Sequence, residues 1–483
     1  MADAAPMDAF TQWFAEALGL HQQGNLSGAS LAWRRLLSRH PENQDAWINY
    51  GSVLRQLGRQ EEALEALRRA EEAGDERVSL LLLRAGLLHD QGRIEEALQQ
   101  QLHAVALAPD NLEARVGLGQ LHHRLGQSRE ALAADDAALA LSPDHPGVLV
   151  NRSASLLRLQ RTQEAIADCR RSLALDPDNP LGHLNLGIAL LLDGQLEEGF
   201  KEYEWRWRVS EVSSFDPGYA EPRWDGAPFP GKTLLLWCEQ GLGDTLMALR
   251  AVPVVKAMGG RVILAVQSSL VGMAMSAGAD EVVSEESPKP SFDLHAPLMS
   301  LFHLLGPDPT GMAPVPYLCA PESDPPQALV ERFKGLVGRK VGLVWSGNPV
   351  HRDNAYRRLD PQLLAPFGTL SGITWVSLQR WEGGPPTERP PFEMVDVGDL
   401  LHRFEDTAYA LSQLDLLVSI DTSVLHLAGA LGRPTLALLA YAADWRWQLH
   451  RSDSPWYPTV RLIRQPAAGD WRGLVEEAMK AMR

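Results

Sequence analysis

Cysteine is scarce in this chain, with three in 483 residues. Cys169, Cys238 and Cys319 are scattered and match no metal-ligand spacing. That excludes a disulfide framework and suits a reducing compartment. Long apolar runs are missing too. No stretch reaches the roughly 18 apolar residues of a spanning helix. The opening MADAAPMDAF has no basic region and no apolar run, so neither a membrane span nor a secretion signal is expected. Positive charge is in deficit: 45 Lys and Arg stand against 61 Asp and Glu, a net charge of −16. This balance argues against nucleic acid and anionic membrane surfaces as partners. No metal triad is present, and the DPD at 176–178 reads as a turn at a repeat boundary. What remains is ordinary for a cytoplasmic globular protein, with 45% apolar and 22% charged residues. The length suggests about three domains.

What the chain has in abundance is a period of 34. Gly24, Gly58, Gly92, Gly126 and Gly194 share one register, with Gln160 in the remaining slot. Ala29, Ala63, Ala97, Ala131 and Ala165 share a second, closed by Gly199. Pro41, Pro109, Pro143 and Pro177 share a third, with Asp75 in the gap. Ala17, Gly51, Ala85, Gly119, Ser153 and Gly187 make a fourth, all small. The glycines fall where a turn needs positive φ, the small residues where two helices cross closely, and the prolines where a helix ends. The period and residue types are those of the tetratricopeptide repeat. About six such units over 1–212 are expected to stack into a right-handed superhelix with a concave groove that binds an acceptor protein. Asn49, Asn151 and Asn185 lie on one register of the first helix. A primary amide both donates and accepts, so it pairs with an extended backbone whatever the side chains. The pattern is similar to the asparagine ladder of animal O-linked N-acetylglucosamine transferase, and predicts an acceptor-peptide site; the alternative is a solvated polar face.

The register decays after Gly199, and 213–232 reads as an ordered connector rich in Pro, Gly and aromatics. Beyond it, apolar runs at 233–238, 261–266, 340–345, 374–379, 414–420 and 434–439 alternate with amphipathic stretches, the pattern of buried parallel strands in doubly wound α/β units. A Pro- and Gly-rich stretch at 306–326 splits them into two groups. The expected fold is thus an all-α superhelix followed by two Rossmann-like domains, 233–326 and 327–483.

Three segments carry the chemistry. In LLLWCEQGLGDTLMALRAVP (234–253), a strand leads through Gly241 and Gly243 to Asp244 and a helix beginning near Thr245. Ligands of open α/β sheets bind outside the carboxyl ends of the strands, so Asp244 is placed at the mouth of a cleft; it also reads as a helix cap. In VSIDTSVLHLAGALGRPTLAL (418–438), a strand ends at Ile420, and Asp421, Thr422 and Ser423 cap a helix with His426 one turn in. A helix N-terminus aimed into a cleft is an anion site. In GLVWSGNPVHRDNAYRRLD (342–360), Ser346 and Asn348 lie in the loop, and His351, Arg352, Arg357 and Arg358 bring positive charge. A further loop carries Asp444, Trp445 and Arg446; Trp445 reads as a base- or sugar-stacking residue or as core.

The second segment closely matches the D-T-x-x-x-H-x-x-x-A-L-x-R/K-P pattern of glycosyltransferase family 9, the heptosyltransferases, and the first resembles that family's opening strand–loop–helix. The resemblance implies a GT-B pair of domains in which Asp244 is the general base. It implies that Asp421, Thr422 and His426 hold the sugar nucleotide; Gly241, Gly243, Ser346, Asn348, Arg357 and Ser423 are expected to line the same site from their loops, and Asp444, Trp445 and Arg446, where the family has a shorter, different loop, to form the cleft rim. The family carries a Lys-containing loop where this chain has arginines. Joined to the repeats, the whole looks like the bacterial tetratricopeptide-repeat glycosyltransferases, the flagellin-modifying ones among them. That implies metal-independent, inverting transfer from a sugar nucleotide, with no cofactor, to Ser or Thr of an acceptor protein. Flagellin and CMP-nonulosonic acid, such as pseudaminic acid, are the leading candidates. UDP-N-acetylhexosamine and ADP-heptose stay open as donors. A glycolipid acceptor and a non-catalytic scaffold stay open as alternatives.

Overall fold

The computed structural model describes residues 9–74, 77–306, 308, 311–320, 324–347, 354–380 and 388–483. The chain forms two compact units, 1–178 and 179–483.

The first unit is all helical. Helices α1 (Ala9–Gln22), α2 (Leu26–Leu37), α3 (Gln44–Gln56), α4 (Gln60–Ala73), α5 (Val78–Asp90), α6 (Ile94–Leu107), α7 (Leu112–Arg124), α8 (Ser128–Leu141), α9 (Pro146–Arg158) and α10 (Thr162–Leu175) pair in sequence as hairpins. The turn glycines Gly24, Gly58, Gly92 and Gly126 all have φ between 70° and 74°. Gln160 takes the same left-handed turn at φ 57° without glycine's freedom. Ala29, Ala63, Ala97, Ala131 and Ala165 are fully buried. A Cβ on Gly51 would meet the Leu67 side chain at 3.0 Å, so the small register marks the helix crossings. Asp75 lies outside the described residues. A fifth register, unread in the sequence, caps the first helix of each hairpin: Asn43 and Asn111 accept the N–H of Ala46 and Ala114 at 2.8 Å. His145 continues it, and Arg77 fills a slot without a side-chain cap.

The second unit begins with one further hairpin, α11 (Pro180–Asp193) and α12 (Leu196–Tyr203). Asn179 and Gly194, at φ 85°, continue the cap and turn registers. This hairpin packs on the α/β region, so the compact boundary lies one repeat earlier than the decay of the register suggests. Phe200 stacks on Phe302 and meets Trp445 and Trp456 edge-on.

The rest holds two parallel sheets. The first contains β1 (Thr233–Trp237), β2 (Arg261–Val266), β3 (Glu281–Ser284) and β4 (Leu294–Pro297) in the order β3-β2-β1-β4. The second contains β5 (Arg339–Val344), β6 (Ile373–Ser377), β7 (Val395–Asp396), β8 (Leu416–Ile420), β9 (Thr435–Leu439) and β10 (Val460–Arg464) in the order β10-β9-β8-β5-β6-β7. Among the described residues, all eight strand pairings are parallel. Strand order reverses between β1 and β4 in the first sheet and between β5 and β8 in the second. These switch points are where loops part and leave a crevice at the carboxyl ends of the strands. The loops after β1, β5 and β8 are those singled out in the sequence.

Candidate active site

The loop after β1 leads into a helix at Leu242–Ala248, three residues earlier than the sequence suggests. Asp244 sits in its first turn, and its Oδ2 accepts the Gly241 N–H at 3.0 Å. The other oxygen, Oδ1, accepts from the Arg446 guanidinium, which comes from the loop after β9. The Asp244 side chain keeps 19% exposure, while that of Arg446 keeps 8%. Arg446 also pairs with Asp444, whose carboxylate accepts the Arg446 backbone N–H at 3.1 Å. Burial pulls the Arg446 guanidinium down, but the fields of Asp244 and Asp444 outweigh it and raise it, so it stays charged.

The helix after β8 spans Ser423–Ala430. Thr422 occupies its cap position, but the hydroxyl lies 3.2 Å from Ser419 Oγ and does not cap the helix, contrary to the expectation from sequence. The Thr422 carbonyl takes the Leu425 N–H at 3.0 Å, and no Thr422 side-chain cap reaches the helix start. Asp421 is buried, and its Oδ1 lies 3.6 Å from His426 Nε2. Burial pushes this carboxyl up, yet His426, Arg357 and Trp447 together hold it below its ordinary value. His426 Nδ1 lies 2.9 Å from the Tyr457 hydroxyl, and its ring sits against those of Trp447 and Tyr457. Gly243 meets this histidine: a Cβ there would stand 2.6 Å from His426 Cδ2. Arg357 Nη1 reaches the Asp421 carbonyl at 3.4 Å, which brings the third loop to the second.

The structure thus gathers Gly243, Asp244, Asp421, Thr422, His426, Asp444 and Arg357, with Gly241 and Ser423 beside them, where the two sheets' loops meet. Other expected residues are placed differently. Trp445 is 4% exposed and packs among Phe200, Tyr203 and Trp456, so its ring is core and not a stacking surface. Ser346 is buried, and Gln379 accepts its N–H at 2.9 Å and donates to its carbonyl at 3.0 Å, so Ser346 belongs to a loop brace. Asn348, His351 and Arg352 lie outside the described residues. Arg358 pairs with Glu388 at the surface. Asn49 on α3 and Asn151 on α9 are half-buried in the first unit, and Asn49 gives an amide N–H to the Asp45 carbonyl of its own helix at 2.8 Å. Asn185 is half-buried on α11 in the second unit.

Arg446 was placed in the rim loop by the sequence, but its pairing with Asp244 was not legible; nor were Tyr457, Trp447 and Gln379 as site residues, nor a buried cluster beside the Asp244 loop. Arg206, 1% exposed, donates to Glu239 Oε1 at 3.0 Å and to Ser300 Oγ at 2.9 Å, and also pairs with Glu204. Glu239 accepts the Met299 N–H at 3.2 Å, so the loops after β1 and β4 share one carboxylate. Burial pushes Glu239 up to about 7 against the pull of Arg206. The last repeat, which delivers Arg206, is thereby bonded to the segment that carries Asp244. Among the described residues, no group of three or more His, Cys, Asp or Glu could hold a metal ion, and no helix is long and apolar enough to cross a membrane.

Comparison with known proteins matches the tetratricopeptide repeat at residues 14–78, 61–111, 82–146 and 151–205. Glycosyltransferase family 9 (heptosyltransferase) matches residues 402–469, the span from the helix before β8 to just beyond β10. Protein FlbA of Caulobacter vibrioides is 28% identical over 330 residues, 61% of this chain and 53% of that protein. The match spans about half the length of that curated relative. Among solved structures, Pseudomonas aeruginosa PilF is similar over 44% of this chain and 93% of its own, at 22% identity and a TM-score of 0.38. YrrB, a TPR protein with an unusual peptide-binding site, is similar over 36% of this chain and 96% of its own, at 22% identity and a TM-score of 0.32. The chain carries tetratricopeptide repeats within residues 14–205 and, at residues 402–469, a segment that matches glycosyltransferase family 9.

Proposed function

We propose that this protein is a glycosyltransferase that moves a sugar from a nucleotide donor to a hydroxyl of an acceptor protein bound by its repeats. The observation that carries the reading is the meeting of two switch-point loops: Asp244 from the first sheet stands beside the uncapped helix start, Asp421 and His426 of the second. Two sheets facing across their carboxyl ends agree with a GT-B arrangement. In this reading the N–H groups at Ser423 and the Arg357 guanidinium face the donor phosphate. His426, held by Tyr457 and Asp421, orients the donor. Asp244 takes the proton of the acceptor Ser or Thr hydroxyl as its oxygen displaces the nucleotide at the anomeric carbon. The leaving phosphate gains charge, which the cationic groups and the helix dipole stabilise. The best candidate for the donor is CMP-nonulosonic acid such as pseudaminic acid, and for the acceptor flagellin, by likeness to the repeat-bearing flagellin transferases. The reading is tested by incubating the full chain with flagellin and each of CMP-pseudaminic acid, UDP-N-acetylglucosamine and ADP-heptose, followed by intact mass measurement. It requires a sugar mass increment with one donor and none with Asp244→Ala. An increment that survives in Asp244→Ala removes the base assignment. No increment with any donor favours a glycolipid acceptor or a scaffold.

A further inference from the structure

Arg446 holds the proposed base in an ion pair that a donor could break. Its guanidinium is clamped over the Trp445 ring, 4.3 Å from the centroid, and Trp445 is itself locked in the aromatic core. The Arg446 carbonyl accepts the Trp456 indole N–H at 2.8 Å, which fixes the loop. Nη1 donates to Asp444 and Nη2 to Asp244. Asp244 offers this arginine one oxygen, Oδ1, while Oδ2 accepts the Gly241 N–H. Nε, on the same edge of the guanidinium as Nη2, is buried and has no acceptor among the described residues. An arginine edge presents two parallel N–H groups that match two oxygens of one anion. Here a single carboxylate oxygen uses half of that edge. The arrangement is a poor final state for a buried arginine and a good waiting state for a bidentate anion.

We propose that Arg446 binds the donor phosphate, and that donor binding moves it from Asp244 to that phosphate and so frees Asp244 to act as base. This rests on the reading of Asp244 as base and of the cleft as a donor site. While the pair stands, Oδ1 of Asp244 is engaged by the guanidinium and Oδ2 by the Gly241 N–H. Oδ1 therefore opens to an acceptor hydroxyl only when a donor occupies the cleft and draws Arg446 away. The exchange at Arg446 breaks no covalent bond. In the transfer that follows, the hydroxyl proton passes to Asp244, the acceptor oxygen bonds to the anomeric carbon, and the bond from that carbon to the phosphate oxygen breaks with its electron pair on the phosphate. Arg446 then faces the charge that the phosphate has gained.

The proposal makes a prediction about binding that a purely structural clamp does not. The full chain and its variants Asp244→Asn, Arg446→Gln and Asp244→Asn/Arg446→Gln are titrated calorimetrically with CMP, UDP, GDP and ADP. The nucleotide that binds the wild type is expected to bind Asp244→Asn about tenfold more tightly, since Arg446 no longer leaves a carboxylate to reach it. Arg446→Gln weakens binding by about tenfold or more, and in that background Asp244→Asn brings back less than about threefold. Arg446→Lys keeps the charge but loses the fork, so it lies between wild type and Arg446→Gln. Wild-type affinity in Arg446→Lys and Arg446→Gln overturns the proposal and leaves the donor site intact. So does a tightening by Asp244→Asn that persists undiminished without Arg446. No binding of any nucleotide to wild type or to Asp244→Asn overturns the donor reading itself, and this proposal with it.

Discussion

Gly243→Ala probes a close approach between the two sheets' loops. A Cβ on residue 243 would stand 2.6 Å from His426 Cδ2, 3.2 Å from Nε2 and 3.4 Å from Cγ. The ring has little room to retreat: it is 4% exposed, its Nδ1 is tied to Tyr457 at 2.9 Å, and Trp447 lies 5.3 Å away between ring centroids. Overpacking of this kind costs about 1–3 kcal/mol. Residue 243 has no left-handed φ and lies in a helix, so alanine returns up to about 1 kcal/mol of helix propensity. The net loss expected is about 1–2 kcal/mol. The same substitution in a His426→Ala background meets no ring and should be neutral or stabilising. Calorimetric unfolding of the four proteins gives the coupling, expected at about 1–2 kcal/mol. Donor affinity should fall in Gly243→Ala, because the displaced ring is the one held by Asp421. An equal cost of Gly243→Ala with and without the histidine would refute the reasoning.

Other consequences follow from single contacts. Glu239 is raised by burial from 4.5 to about 7. The folded state therefore binds this proton more tightly than the unfolded chain, and the associated stability is full below pH 4.5 and lost as pH rises to about 7. Glu239→Gln should remove that slope; a wild-type-to-variant difference in melting temperature that does not change between pH 5 and 7.5 would contradict it. Gln160→Gly relieves a left-handed side-chain residue in the last turn of the first unit and should raise the urea midpoint, by up to about 1 kcal/mol in stability; a lowered midpoint would contradict this. Deleting residues 1–178, at the compact boundary, should spare nucleotide binding and abolish modification of protein acceptors; undiminished protein modification would remove the presenting role of the first unit.

The repeat array was legible because a period of 34 repeats each steric demand several times. Three of the four registers found their cause in the structure: turn φ for the glycines, complete burial for the alanines, close crossings for the small residues. The Asn43, Asn111 and Asn179 caps had the same period and went unread because Arg77 and His145 interrupt the residue type. Six strands were legible as runs of apolar residues buried on both faces. β3, β4, β7 and β10 were not, since they are short or half-buried and carry Glu281, His295, Asp396 or Arg461. In the site, Asp421 stood out because it follows a strand directly, and Asp244 and His426 because each lies in the first helical turn or so after a strand-end loop. Tyr457 gave no such signal, and Arg446 showed its place after a strand but not its partner: their roles come from contacts made across about 200 residues for Arg446 and 31 for Tyr457. Trp445 was misplaced because an aromatic beside charged residues looks the same in sequence whether it faces a ligand or, as here, carries an arginine on one face and the core on the other.

The central claim is that the cleft binds a sugar nucleotide through the start of the helix at Ser423. Its most direct test is calorimetric titration of the purified full chain with CMP, UDP, GDP and ADP, beside an Asp421→Ala/His426→Ala variant shown by melting to be folded. The account predicts that one nucleotide binds the wild type and not the variant; CMP would mark a nonulosonic acid donor, UDP an N-acetylhexosamine and ADP a heptose. Equal binding to both proteins, or no binding of any of the four to the wild type, would contradict it.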